Sequence, residues 1–199
     1  MAKKIRTETI EIAPNIIGNI KDDGTYFVFD KVNNILLNPE NIDDKIIIYE
    51  RQVKGWFLQP TLKMVKYKPE HKGFLVLMSC ISYFEGVEQY KTGITSNGNS
   101  KRAFINAIRK LYPNKFDEYQ ITRLYNQARC GLFHDGMVKG QIIISNSYED
   151  SINITHNDIF INPKKLLNDI IDDFENYLTN LRNDNEARRK FDLMFSNTN

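Results

Sequence analysis

The chain has 199 residues, of which 41% are apolar; its 27 Lys and Arg face 25 Asp and Glu, a formal net charge of +2. The apolar share suffices for a continuous core in one main domain, and the near-balanced charge excludes a generic phosphate-backbone binder, so any nucleic-acid contact must come from a local patch. Its two cysteines, Cys80 and Cys130, make neither a disulfide framework nor a CxxC metal site, and the apolar run around Phe74 to Phe84 is too short for a bilayer, which takes roughly 20 apolar residues.

Lys3, Lys4 and Arg6 are followed by Thr7, Glu8 and Glu11, which does not read as a secretory signal. With the cysteine usage, this predicts a cytoplasmic protein. Asn, Ile and Lys abound throughout, but apolar periodicity persists, so the bias is not a low-complexity segment.

In chain order, Ile16, Ile17 and Ile20 are separated from Tyr26, Phe27, Val28 and Phe29 by Asp22-Asp23-Gly24, which predicts a β-hairpin turning at Gly24. A loop rich in Asn and Asp follows over 33–44. Ile47, Ile48, Val53, Phe57, Leu62 and Val65 then recur with helical spacing, bent near Pro60. After Pro69, Phe74, Leu75, Leu77, Met78, Ile81, Phe84 and Val87 predict a buried central helix. The polar run from Thr95 to Ser100 ends in an N-cap at Ser100 for a helix carrying Phe104, Ile105, Ile108 and Leu111, closed by Pro113.

The next helix is expected over 117–134, stopped where Gly136 takes a left-handed cap. Ile142–Ile144 and Ile152–Ile154 read as a second hairpin. Asn162 and Pro163 start a helix in which Leu166, Leu167, Ile170, Ile171, Phe174, Tyr177, Leu178 and Leu181 form one apolar stripe. The organisation expected is a β-rich extension over 1–45 packed on the main domain, a helical domain over 46–183, and a tail over 184–199 whose Phe191, Leu193, Met194 and Phe195 need a covering surface.

On a wheel of about 100° per residue, Arg129, Asn126, Cys130, Arg123, His134 and Gln127 share a polar arc, with Phe133 the large apolar intruder. Ile121, Leu124, Tyr125, Ala128 and Leu132 make the face to be buried. Arg129 and His134 stand about 140° apart in α winding, too far to meet one small atom unless the last turn loosens at Gly131 or a ligand as large as a nucleotide phosphate with its ribose spans them.

The run Arg129-Cys130-Gly131-Leu132-Phe133-His134, an Arg, four residues and a His at a helix end, resembles the signature of the HEPN superfamily of helical-bundle proteins. Two helices before it, a glycine stop and hairpin after it, and the Asn-Pro-capped helix extend the resemblance over 46–183. The resemblance implies a mainly α, antiparallel helical bundle with a β-hairpin before the last long helix, here with an N-terminal β-hairpin extension. It further implies a metal-independent endoribonuclease without a cofactor, in a defence or toxin-antitoxin role. A homodimer with the active cleft at its interface follows from it, as does an antitoxin or nucleotidyltransferase as partner. Some relatives carry a modifiable tyrosine two positions after the histidine, where this chain has Gly136.

The chemistry suits these residue types. His134 would exchange the proton of a ribose 2′-hydroxyl or of the departing 5′-oxygen, and Arg129 would hold the phosphate as negative charge grows on it. DNA, lacking that hydroxyl, would not be cut. Arg123, Asn126, Gln127 and Lys139 are candidate RNA contacts beside the pair. The alternative is a catalytically inactive HEPN-like module that binds RNA, a nucleotide or a protein through the same cleft.

Each of these residues also has a plainer role. A last-turn histidine is commonly a partner of the helix dipole, and Arg123, Asn126, Gln127 and Lys139 would make an ordinary solvated face. Cys130 reads as a small filler of the polar arc, with a Cys130–His134 nucleophilic pair as the sharper alternative. Glu85 and Glu88 either face water or reach the cleft to orient Arg129. His71 and His156 show no metal-ligand pattern. Arg188, Arg189 and Lys190 are solvated or an accessory RNA contact.

Overall fold

Alternating apolar and polar residues become strands where one face can be covered, and the first unit of the chain begins with four. In the computed structural model, which describes residues 8–21, 23–66 and 72–198, β1 (Ile10–Ala13), β2 (Ile16–Ile20), β3 (Tyr26–Asp30) and β4 (Ile35–Leu36) form an antiparallel sheet in that order. The expected hairpin is β2–β3, with Ile17 opposite Phe29 and Ile20 opposite Tyr26. Gly24 takes φ 82° at its turn, a conformation that suits a residue without Cβ. Asp22, placed in that turn by the sequence reading, lies outside the described residues, as do Lys3, Lys4, Arg6 and His71.

Helix α1 (Ile42–Gln52) is capped by the Asn41 side chain, which accepts from the N–H groups of Asp43 and Asp44. It is tied to the sheet through a buried carboxylate. Asp30 accepts from Val32 N at 2.9 Å, Asn33 Nδ2 at 2.8 Å and Arg51 Nη2 at 3.0 Å. Arg51 Nη1 donates to the carbonyl of Pro14, and Gln52 Nε2 to that of Ile12. Burial alone pushes the Asp30 carboxyl upward, but the hydrogen bonds from Val32 and Asn33 and the Arg51 charge together outweigh it and hold it below the usual carboxylate range.

A depressed folded-state value stabilises the fold above the ordinary Asp range, near pH 4, and the contribution is lost as pH falls through the lower folded value. Asp30→Asn is therefore expected to cost about 2–3 kcal/mol at neutral pH. In urea unfolding followed by circular dichroism, the gap to the wild type should close as the pH falls below about 4. A constant gap would show that the charge is not what matters.

Where the sequence pattern led to a bend near Pro60, the structure shows a change of winding ahead of it. After α1 the backbone winds as a π-helix over Val53–Leu58 and returns to α winding in α2 (Gln59–Lys66). A proline ring clashes with the carbonyl four residues back in an α-helix, and the wider turn lies immediately before it. The chain divides into compact units at Pro60, whereas the apolar pattern set the boundary at 45, because α1 packs on β1.

The second unit, from Thr61 onward, is helical around α3 (Gly73–Thr92), against which α4 (Ser100–Leu111), α6 (Pro163–Asn183) and α7 (Asn185–Thr198) pack. Leu77, Ile81 and Phe84 of α3 are fully buried in its core, as are Phe104, Ile108, Phe174 and Phe191. Edge-to-face pairs set the spacing, Phe84–Phe104 at 5.5 Å and Tyr83–Phe174 at 6.4 Å. Phe74 and Leu75, expected inside, are exposed in the first turn of α3. The residues after Asn183 are a helix whose Phe191, Met194 and Phe195 are buried, while Leu193 stays exposed. Burial of a ring such as Phe191 contributes about 1.5–3 kcal/mol.

Two expectations are corrected here. Asn99, not Ser100, is the N-cap of α4, and the Ser100 hydroxyl instead meets Tyr125 Oη at 2.7 Å. The second hairpin is a three-stranded sheet in the order β5-β7-β6, made of β5 (Ile142–Ile144), β6 (Ile152–Ile154) and β7 (Ile159–Ile161). β7 lies between the other two, parallel to β5 and antiparallel to β6. Three residues directly ahead of a helix cap carry too little periodicity to announce a strand.

Asn162 caps α6 by accepting from Lys165 N, and its amide holds the carbonyls of Asn146 and Tyr148. The protein is thus mainly helical with two small sheets. Among the described residues, no helix is long and apolar enough to cross a membrane.

Candidate functional site

Helix α5 (Glu118–Leu124) starts at a reciprocal capping box, Asp117 accepting from Gln120 N at 2.7 Å and Gln120 accepting from Asp117 N at 3.0 Å. From Tyr125 to Asp135 the winding is π, and it ends on Gly136 at φ 70°. The buried face is the expected one: Ile121, Leu124, Tyr125, Ala128 and Leu132 are all inside.

The π winding decides the geometry of the polar face. In an α-helix a residue shares a rung with the one four along, in a π-helix with the one five along. Arg129 and His134 are five apart. Instead of diverging, they meet, Arg129 Nη1 lying 3.4 Å from His134 Nε2. Arginine only donates, so a hydrogen bond here has the Nε2 lone pair accepting. Of the two ways the wheel left for the pair to act together, the structure shows a loosened backbone, and the loosening extends over the whole segment rather than the turn at Gly131.

Gly131 makes a second contribution. The backbone after the helix folds back along it, with Met137 N donating to the carbonyl of Gly131 at 3.3 Å and Lys139 N to that of Gln127 at 2.8 Å. A Cβ on Gly131 would lie 2.5 Å from Met137 O and 2.9 Å from Lys139 N. The absent side chain is what lets this strap lie flat.

Arg129 is held from several directions. Its Nε and Nη2 donate to Glu85 Oε2 at 3.1 and 2.9 Å, and its guanidinium carbon lies 5.7 Å from the Tyr125 ring centroid and 5.4 Å from that of Phe133. Glu85 Oε1 accepts from Ser96 Oγ at 2.9 Å, and Ser96 N donates to Gln89 Oε1 at 2.7 Å. The central helix and the loop after it thus fix the arginine's plane. Of its five N–H groups, Glu85 occupies one on Nε and one on Nη2, and the Nη1 edge faces His134. The Arg129 and Glu85 side chains keep 20% and 16% of their surface accessible, and His134 is exposed.

The remaining candidates are placed as follows. Arg123 donates to the carbonyls of Thr155, His156 and Asn157 and lies over the Tyr119 ring, so its guanidinium clamps the β6–β7 turn. Asn126 is exposed. Gln127 lies half-buried against Gly140, and its Oε1 is a buried acceptor without a hydrogen-bond partner. Lys139 pairs with Asp135 at 2.6 Å. Cys130 is half-buried beside the pair.

Glu85 took the orienting alternative, whereas Glu88 is buried and bound by Lys110 at 2.7 and 2.8 Å. In the last helix, Arg189 and Lys190 pair with Glu186, whose carboxyl the Arg189 hydrogen bond pulls down to about 2. Among the described residues, no group of His, Cys, Asp and Glu could hold a metal ion.

Ser96, Ser100 and Tyr125 were read as loop, cap and core, and their part in supporting the site was missed. No signal in the sequence separates such residues from ordinary polar and apolar ones. No family model, curated protein or solved structure matches the chain. Fold and site together define a mainly helical protein carrying an arginine–histidine pair on a π-helical turn.

Proposed function

We propose that the chain is a HEPN-type, metal-independent endoribonuclease acting in a defence or toxin-antitoxin setting in the cytoplasm. The observation that supports it most is the approach of Arg129 Nη1 to His134 Nε2, 3.4 Å apart on one rung. A phosphate accepting from the N–H of Arg129 Nη1 that does not face His134 would sit beside the imidazole. His134 then takes the 2′-hydroxyl proton, or gives one to the departing 5′-oxygen, while the guanidinium stabilises the charge growing on the phosphate.

The Glu85 ion pair does not close the site, because it engages the opposite edge of the guanidinium. It works as a positioning contact. The products would be a 2′,3′-cyclic phosphate and a 5′-hydroxyl. Incubation of a single-stranded RNA in the presence of a chelator, with end-group analysis, tests this: uncut RNA, or a 3′-hydroxyl product, would overturn it.

Two subunits facing across their π-helical turns would line one groove with two such pairs, and an antitoxin or nucleotidyltransferase partner would restrain it. A second reading, an inactive HEPN-like module for RNA, a nucleotide or a protein, draws on the Glu85 carboxylate, which offsets the Arg129 charge. Overexpression separates the two. The enzyme is harmful only with both Arg129 and His134 intact.

Glu85→Gln keeps an acceptor for Arg129 but removes a negative charge beside the phosphate site. It is expected to lower KM for RNA a few-fold with kcat near wild type, whereas Glu85→Leu, which frees the guanidinium to wander, lowers kcat about ten-fold or more. Steady-state kinetics on both variants check this split. Equal losses in the two would show that Glu85 serves only stability.

A further inference from the structure

The ring of Phe133 stands in an odd place. It follows Leu132, which is buried, and precedes His134, which is exposed. Phe133 keeps 44% of its surface in water. An exposed phenylalanine is unremarkable alone, but this one is ordered by the residue that defines the site. The Arg129 guanidinium lies 5.4 Å from its centroid, and Glu85 and Tyr125 fix that guanidinium in turn.

We infer that Phe133 is a stacking platform for an unpaired nucleobase of the RNA whose phosphate Arg129 holds. The inference rests on the ribonuclease reading and deepens it. A nucleotide carries its base one sugar away from its phosphate, and the ring lies one residue from the imidazole and beside the phosphate donor. A base can occupy only the exposed part of the ring, since Arg129 covers the rest. It must also be free of its own strand partner, because a paired base in an A-form helix offers no face to a protein ring. Every base has such a face, so the site tolerates any sequence while refusing duplex.

The test uses the full chain and a mixed-sequence oligoribonucleotide carrying 2′-O-methyl groups, which lacks the attacking hydroxyl and stays intact. Affinity is read by fluorescence anisotropy for the wild type, Phe133→Tyr and Phe133→Leu, with the matching duplex as competitor. Phe133→Tyr keeps the platform and should bind within about threefold of wild type. Phe133→Leu keeps apolar bulk without an aromatic face and should bind about ten- to a hundred-fold more weakly, and the duplex should compete poorly.

Unchanged binding by Phe133→Leu, effective competition by duplex, or no binding by the wild type would overturn the platform. So would a loss of affinity that sedimentation traces to dissociation of a dimer. Ring-dependent binding by a protein that leaves ordinary RNA intact would retain the platform and remove the nuclease.

Discussion

On the proposed ribonuclease reading, Arg129→Ala and His134→Ala are each expected to lower the rate of RNA cleavage by about 10²–10⁴-fold, through different losses. Without His134, no group at this rung accepts the 2′-hydroxyl proton, and general acid–base catalysis of that size disappears. Without Arg129, the growing phosphate charge loses its fixed donor, a loss of about 10²–10³ by analogy with the removal of one oxyanion-stabilising group. Because the two act on one transition state, the double variant should be little worse than the poorer single variant.

Arg129→Ala also leaves the Glu85 carboxylate half-buried without its partner, which costs about 1–3 kcal/mol of stability. Arg129→Lys is the companion variant. It keeps a positive charge but not the planar fork that serves Glu85 on one edge and phosphate on the other, so it should fold well and remain impaired. Single-turnover cleavage of a labelled RNA, alongside thermal melts, reads both quantities. Wild-type rates in either alanine variant would remove the pair from the chemistry.

Gly131→Ala is the second substitution with a large expected effect. The new methyl would meet backbone on the strap, at 2.5 Å from Met137 O, 2.9 Å from Lys139 N and 3.1 Å from Val138 Cα, and backbone yields less readily than the end of a flexible side chain. Overpacking of this kind costs about 1–3 kcal/mol or more. The midpoint of thermal unfolding should fall by roughly 2–4 °C for each kcal/mol lost. Helix propensity works the other way, since alanine in a helix interior is favoured over glycine by about 1 kcal/mol. A stabilised Gly131→Ala protein would therefore mean that the strap moves aside at little cost. If the strap lifts, the contacts of Met137 and Lys139 with the turn are lost next to His134, and cleavage should fall along with stability.

Patterns that repeat were legible in the sequence, while long-range pairings were not. The 163–183 helix could be read from its apolar stripe and its Asn-Pro start, and the buried face of the Arg129 helix from five residues that all proved to lie inside. The β5-β7-β6 order was not legible, because β7 has three residues and its partners are chosen by tertiary packing. At the candidate site, Arg129 and His134 stand out in the sequence by their types and spacing. Their separation does not, since a wheel drawn with α winding places them about 140° apart. The carboxylate at Glu85, 44 residues upstream, reads in the sequence first as an acidic residue facing water, and only the fold brings it beside the guanidinium.

The four-residue gap between Arg129 and His134 therefore carries information about backbone winding. In an ordinary helix, a three-residue gap aligns two side chains, and each further residue rotates the second one away. Here the extra residue is absorbed by the broader coil, so the count of intervening positions and the pitch of the backbone form a matched set. With the same two end residues and the same count, a conventionally wound segment would point the two side chains about 140° apart.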